Sequence, residues 1–269
     1  MRTLDLALLV LALAACDGDR TALLLASTTS TEDSGLFDVL IPAFMEAHPE
    51  VEVRVTAVGT GQALELGRRK DADVLLVHAP SAESAFVAEG RGTVRCEVMY
   101  NDFVIAGPPS DPAGIRGMAR ASVALAAVAA DGAPFVSRGD DSGTHRKERA
   151  LWSASGITPS GSWYKEVGQG MAEALRMAAQ ERGYILTDRA SYLSRREGLD
   201  LAVLVEGDTA LFNQYAVIPV AGASHPEAAR AFAAWITGEE AQAVIGEFGR
   251  DRFDRALFIP NAAPCLPPG

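Results

Sequence analysis

Short apolar runs alternate along this chain with stretches whose apolar residues recur at helical spacing. Thr21-Ala22-Leu23-Leu24-Leu25-Ala26 is a continuous apolar run that predicts a buried strand. The hydroxyl-rich Ser27-Thr28-Thr29-Ser30-Thr31 follows it as a polar turn. Beyond Ser34-Gly35, the residues Leu36, Leu40, Ile41, Phe44 and Met45 share one helical face, and that helix ends before Pro49. Val51 to Val58 alternates with period two as a strand. Gly59-Thr60-Gly61 then turns the chain into a helix from Gln62 to Arg69, and Ala72 to Val77 is a further strand. Strand, turn and helix repeated in this order predict an α/β sheet covered by helices on both faces.

Two longer segments stand apart. Val98 to Pro109 reads as a strand with a Pro-rich exit, and Leu211 to Val220 is a second of the same kind. Between them the chain has its own helical pattern at Glu173 to Ala178 and its own strand at Tyr184 to Thr187. After them, Pro226 to Ile236 and Glu239 to Phe248 read as helices, the second started by Thr237-Gly238. The simplest organisation is two α/β lobes joined by two crossing strands. Lobe one would take residues 21–104 and 216–269, and lobe two residues 105–215. Ligands of such sheets bind where strand ends lead into helix N-termini. Three turns rich in hydroxyls and glycine fall there: Thr28-Thr29-Ser30, Gly59-Thr60-Gly61, and Arg138 through Thr144.

The N-terminus changes the picture of where this domain works. Arg2 precedes the apolar run Leu6 to Ala15, which is too short to span a bilayer but suits a secretory signal. Leu13-Ala14-Ala15-Cys16 looks like a bacterial lipobox, although Asp5 is atypical there. Residues 1–15 are therefore expected to be a lipoprotein signal peptide, Cys16 the lipidated residue, and residues 16–20 a tether. No later stretch is apolar enough to span a membrane. The expected location is the periplasm or the cell surface, with the membrane touched only through the lipid. The formal net charge is −11, which argues against nucleic acid, since phosphate contacts need basic patches. An anion site here must rely on local donors and dipoles. Cys96 and Cys265 remain once Cys16 is lipidated. In an exported protein they are candidates for a disulfide, with two separate thiols as the alternative.

Ser137-Arg138-Gly139-Asp140-Asp141-Ser142-Gly143-Thr144 carries the densest chemistry. It combines a guanidinium, hydroxyls and glycine N–H groups, and it enters a helix. A helix N-terminus favours an anion, because its first N–H groups lack intrahelical partners and the dipole is positive there. The plain alternative is an N-cap by Ser142 or Thr144, with Glu148 as a loose capping-box partner.

This stretch, together with Ser27 to Thr31, Ala57 to Leu64, Asp71 to His78, Met99 to Ile105, Leu186 to Arg189 and Glu206-Gly207-Asp208, resembles the tungstate-binding proteins of bacterial ABC importers. The resemblance covers nearly all of the mature chain. It implies a type II periplasmic binding fold and an extracytoplasmic receptor, expected as a monomer, that delivers an oxyanion to a permease with an ATPase subunit. It implies ligand donors at Thr28, Thr29, Ser30, Thr60 and Gly61 from lobe one, and at Arg138, Ser142, Gly143 and Thr144 from lobe two. The implied ligand is tungstate, with molybdate, phosphate and sulfate as alternatives. Neither a resident cofactor nor a metal site is expected. Tungstate carries no proton at neutral pH, so Asp73, Asp140, Asp141 and Asp188 are expected to face away from it. His78 is expected to pack or cap, and Tyr100, Asn101 and Asp102 to lie at the hinge or behind the site. The competing class is a serine hydrolase or phosphatase using Ser142 and His145, but no Gly-x-Ser-x-Gly elbow is present.

Overall fold

The computed structural model describes residues 20–263 and residue 265. The expected signal peptide, Cys16 and all of the expected tether but Arg20 lie outside the described residues. The first sheet is built from β1 (Thr21–Thr28), β2 (Val51–Val58) and β3 (Val74–Val77), with β1 central and parallel to both neighbours. Helices α1 (Thr29–Asp33), α2 (Phe37–Ala47), α3 (Thr60–Arg69) and α4 (Pro80–Ala88) connect them. All four residues of β3, Val-Leu-Leu-Val, are buried without alternation, as expected for a parallel strand covered on both faces.

The long strand β4 (Cys96–Gly107) joins this sheet to a second one. Around the second sheet lie α5 (Ala121–Asp131), β5 (Phe135–Ser137), α6 (Gly143–Ser155) and β6 (Tyr164–Glu166). They are followed by α7 (Met171–Glu181), β7 (Tyr184–Asp188), α8 (Arg189–Arg195) and β8 (Ala202–Val205). The chain returns through β9 (Phe212–Pro219) and ends with α9 (Pro226–Ile236) and α10 (Glu239–Glu247) on the first sheet. The strand order is β2-β1-β3-β9-β4-β7-β5-β6. Strand β4 pairs with β9 as far as Asp102↔Phe212 and with β7 from Phe103↔Asp188. Strand pairing therefore changes partner between Asp102 and Phe103, and the return strand begins at Phe212. Both points lie slightly earlier in the chain than 104/105 and 215/216.

Four apolar clusters follow from this layout, one on each face of each sheet. Leu23, Phe44, Phe232 and Trp235 lie in the cluster under α2 and α9, while Leu64, Leu75, Phe86 and Ile218 fill the opposite face. In the second lobe Phe103, Phe135 and Trp152 pack on one face, and Met171, Leu175 and Ile185 on the other. The two lobes are thus separately cored, and the polar residues buried between them belong to neither core.

The hydroxyl run after the first strand departs from the expected turn. Strand β1 stays in register with β2 through Thr28↔Val58, and the helical turn α1 begins at Thr29. Ser27 Oγ donates to the Leu76 carbonyl at 2.6 Å, so a polar side chain is accommodated inside the strand. The helix expected from Gln62 begins two residues earlier, at Thr60, with Gly59 as its N-cap.

Cys96 and Cys265 are joined by a disulfide with a Cα–Cα distance of 5.6 Å and a sequence separation of 169 residues. The bond ties the tail to the start of β4, beside the antiparallel pairing Ile259↔Tyr100. Closing so long a loop restricts the unfolded chain. Cys96→Ser should lower the unfolding free energy by about 2–5 kcal/mol, read as a shifted urea midpoint. An unchanged midpoint would show that this bond adds nothing to stability.

Candidate functional site

The carboxyl ends of β1 and β2 lead directly into α1 and α3, and β5 leads into α6 through the five residues Arg138 to Ser142. Arg138 follows β5, and its Nη2 reaches Thr29 Oγ1 of the other lobe at 3.3 Å. Gly59 sits against the backbone after Arg138: a Cβ there would lie 3.3 Å from the Asp140 carbonyl oxygen. Gly143 meets His78, and a Cβ on it would lie 2.8–3.1 Å from three atoms of the imidazole ring. Gly61 lies against the Asp141–Arg146 pair. The close approach of α6 to the His78 ring thus requires bare backbone at Gly143, and Gly59 leaves little room for a Cβ beside Asp140. Across the lobes these contacts bring together Thr29 and Arg138, Gly59 and Asp140, Gly61 and Asp141, and His78 and Gly143.

Burial there is severe. Arg138 is 1% exposed, and Thr60 and Thr144 are fully buried. Buried polar atoms normally find a partner. Four donors here have none: Thr60 Oγ1, Ser137 Oγ, Arg138 Nη1 and Thr144 Oγ1. They come from opposite lobes. The other edge of the guanidinium is held by Asp140, whose Oδ2 accepts from both Nε and Nη2 while its Oδ1 accepts from Ser142 N–H at 3.1 Å. That carboxylate fixes the plane of Arg138 and leaves Nη1 free to bind elsewhere.

The other acids have identifiable tasks. Asp73 accepts from the Leu24 and His225 N–H groups and holds β1 to α9. Asp141 pairs with Arg146 at the surface. Asp188 is fully buried and caps α8 by accepting from Ser191 N–H at 2.9 Å. Burial pushes its carboxyl up to about 6, against the opposing pull of Ser191 and Arg138, and its Oδ2 has no partner.

Helix α6 shows how much of the N-cap alternative applies. Ser142 caps it, accepting from His145 N–H at 3.2 Å, while Thr144 Oγ1 makes no such bond. Glu148 is not a capping-box partner. It is buried and accepts from Trp152 Nε1 at 3.2 Å and from Tyr164 Oη at 2.7 Å, binding α6 to β6. His145 Nδ1 accepts from Asp141 N–H at 3.0 Å, so its ring is engaged away from Ser142 Oγ and the nucleophile–base pair of a hydrolase is not assembled. No group of three His, Cys, Asp or Glu residues suited to a metal occurs among the described residues.

Some contributors were not evident beforehand. Asn213, Ser191 and Glu148 carry buried polar contacts around the site. A signal existed for the first: Asn213-Gln214 interrupts an otherwise apolar strand.

Comparison with known proteins gives the family. Residues 16–240 match the PBP superfamily domain, the class of two-lobed binding domains. The tungstate-binding protein TupA of Peptoclostridium acidaminophilum is 48% identical over 248 residues, covering 90% of this chain and 86% of that protein. The structure of tungstate-binding TupA from Desulfovibrio alaskensis G20 matches with a TM-score of 0.75 at 46% identity, covering 90% of this chain and all of that one. That of the tungstate ABC transporter from Geobacter sulfurreducens matches with a TM-score of 0.74 at 45% identity, covering 84% of this chain and 98% of that one. The chain belongs to the PBP superfamily and, within it, to the TupA family.

Glu148 offers a pH test of how α6 is held. Burial raises its carboxyl from 4.5 to about 7. Its stabilising contribution is therefore complete below pH 4.5 and is lost as pH rises through 7. Glu148→Gln keeps an acceptor for Trp152 and Tyr164 without the ionisation. Relative to the wild type, its urea midpoint should rise between pH 5 and pH 8, and a constant difference across that range would contradict the account.

Proposed function

We propose that this chain is an extracytoplasmic receptor that captures tungstate between its lobes and delivers it to an ABC importer. The observation that supports the reading is a set of buried donors without acceptors, Thr60 Oγ1 from lobe one and Arg138 Nη1 and Thr144 Oγ1 from lobe two. A fully deprotonated dianion needs donors and no acceptor, and two hydroxyls with a guanidinium edge match that need. The starts of α3 and α6 add backbone N–H groups and the positive ends of their dipoles. The TupA relatives, named for tungstate, make it the oxyanion of choice.

In this reading Thr28, Thr29, Ser30, Thr60 and Gly61 form the wall from lobe one, and Arg138, Ser142, Gly143 and Thr144 the wall from lobe two. Lobe one comprises residues 21–104 and 216–269, with lobe two between them. Cys16 carries the lipid that holds a monomeric domain at the membrane, and the permease with its ATPase subunit is the partner. Molybdate has the same charge and shape and would use the same donors. One observation favours phosphate instead: Asp188 Oδ2 is a buried acceptor without a partner, under the influence of Arg138. A protonated oxyanion could donate to it.

Calorimetry on the soluble form lacking residues 1–16 tests this directly. Arg138→Ala should weaken tungstate binding by roughly thirtyfold to several-thousandfold, the effect of losing a desolvated charge-assisted contact of about 2–5 kcal/mol. Tungstate should displace phosphate completely, and phosphate in large excess should fail to displace tungstate. Unchanged binding by the variant would remove Arg138 from the site, and efficient displacement by phosphate would transfer the function to that anion.

A further inference from the structure

Six buried residues around the crossing strands form a closed circuit of hydrogen bonds. Ser30 Oγ lies 3.1 Å from His78 Nε2, and His78 Nδ1 lies 2.9 Å from Asn213 Oδ1. Asn213 Nδ2 donates to Asn101 Oδ1 at 2.7 Å, and Asn101 Nδ2 donates to Asp188 Oδ1 at 3.4 Å. Asp188 Oδ1 also accepts from Ser191 N–H, and Ser191 Oγ returns to the Ser30 carbonyl at 3.3 Å. All six residues are buried. Asn101 and Asn213 face each other across β4 and β9, the strands that join the lobes.

The proton positions around this circuit follow from its carboxylate. An oxygen that already accepts from Ser191 N–H attracts the amide NH2 of Asn101, which turns the Asn101 carbonyl toward Asn213. The same logic turns the Asn213 carbonyl toward His78. A carbonyl only accepts, so His78 Nδ1 carries a proton. The ring is neutral: burial pushes it down to about 4, and the charges of Arg138 and Lys147 act in the same direction. Its Nε2 is then an acceptor, and the Ser30 hydroxyl donates to it.

The consequence reaches the pocket wall. Thr28 Oγ1 lies 3.2 Å from Ser30 Oγ and 2.9 Å from Thr31 Oγ1. With the Ser30 proton directed to His78, Thr28 donates to Ser30 and Thr31 to Thr28. Those three hydroxyls are engaged within the wall, and Ser30 faces an anion with its backbone N–H alone. Thr29 differs, since its Oγ1 accepts from Arg138 Nη2 and keeps its own proton free. The His78 ring also stacks on Tyr215 at 4.7 Å and presents the flat surface on which Gly143 comes to rest.

We propose that His78 is the positioning residue of the oxyanion pocket. Held as the Nδ1–H tautomer by Asp188 through the Asn101–Asn213 pair, it accepts a hydrogen bond from the Ser30 hydroxyl and seats Gly143 when the lobes are shut. The circuit joins the pocket wall, both crossing strands and α8, so the shape of the wall and the closure of the lobes depend on the same bonds. The inference rests on the oxyanion-receptor reading above.

Long-range 1H–15N correlation of the 15N-histidine-labelled soluble protein tests the tautomer without any ligand. With only four histidines, the His78 signals are assigned by their loss in His78→Gln. The expected pattern at neutral pH is a neutral ring protonated on Nδ1, and Asn213→Leu should shift it toward Nε2–H. Calorimetry with tungstate then separates acceptor from packing. His78→Phe keeps the ring, the stack and the Gly143 seat, and should bind at least about tenfold more weakly. His78→Gln, whose Oε1 can accept from Ser30, should recover most of that loss. A wild-type ring protonated on Nε2, or a folded His78→Phe protein binding like wild type, would overturn the proposal. If the wild type binds no tungstate, the receptor reading fails, and the tautomer result alone decides the circuit.

Discussion

Burying a guanidinium is the constraint around which this molecule is arranged. A charge removed from water must be compensated by a partner and by hydrogen bonds, or the fold loses several kcal/mol. Arg138 receives Asp140 along one edge and Thr29 of the opposite lobe at Nη2, while Nη1 is left without a protein partner. The compensation is therefore incomplete within the chain, and in the proposed function an oxyanion completes it. The same contact with Thr29 crosses between the lobes, so satisfying the arginine and closing the cleft are one event.

The remaining architecture serves that event. Both lobes carry a core on each face of their sheets, so each is packed independently of the polar contacts between them. Gly143 lets backbone approach the His78 ring where a Cβ would obstruct, and Gly59 leaves little room for a Cβ beside Asp140. Polar residues between the lobes replace an apolar interface with a set of directional bonds. Such an interface is stable only in one geometry, which suits a receptor that must discriminate shape and proton content. The formal net charge of −11 provides no long-range attraction for an anion, so recognition is local and depends on these bonds.

The lobes and the site were legible in the sequence to different depths. Apolar periodicity marked β1, β2, β3, α2 and the crossing strands, because burial of one face or both leaves a direct trace. The three polar turns were legible as strand-to-helix junctions, and the resemblance placed the donors within them. The end of β1 was not legible. Ser27 and Thr28 are polar yet stay in the strand, since Ser27 finds the Leu76 carbonyl and Thr28 its neighbouring hydroxyls. Glu148 was misread because Tyr164, one of its two donors, is brought to it by tertiary packing, while the other, Trp152, sits at the i+4 position of the same helix. Asn213 and Asp188 could have been flagged, one as a polar break in an apolar strand and the other as an N-cap, but their link through Asn101 exists only in the folded sheet.

The account stands on an oxyanion seated among Thr60, Arg138 and Thr144. Crystals of the soluble form grown with tungstate, and an anomalous difference map collected at a tungsten absorption edge, test it most directly. The account predicts one strong peak enclosed between the lobes, within hydrogen-bonding reach of Arg138 Nη1 and the Thr60 and Thr144 hydroxyls through its oxygens. A peak at the protein surface, or a cleft whose Asp188 carboxylate points at the bound anion, would contradict it.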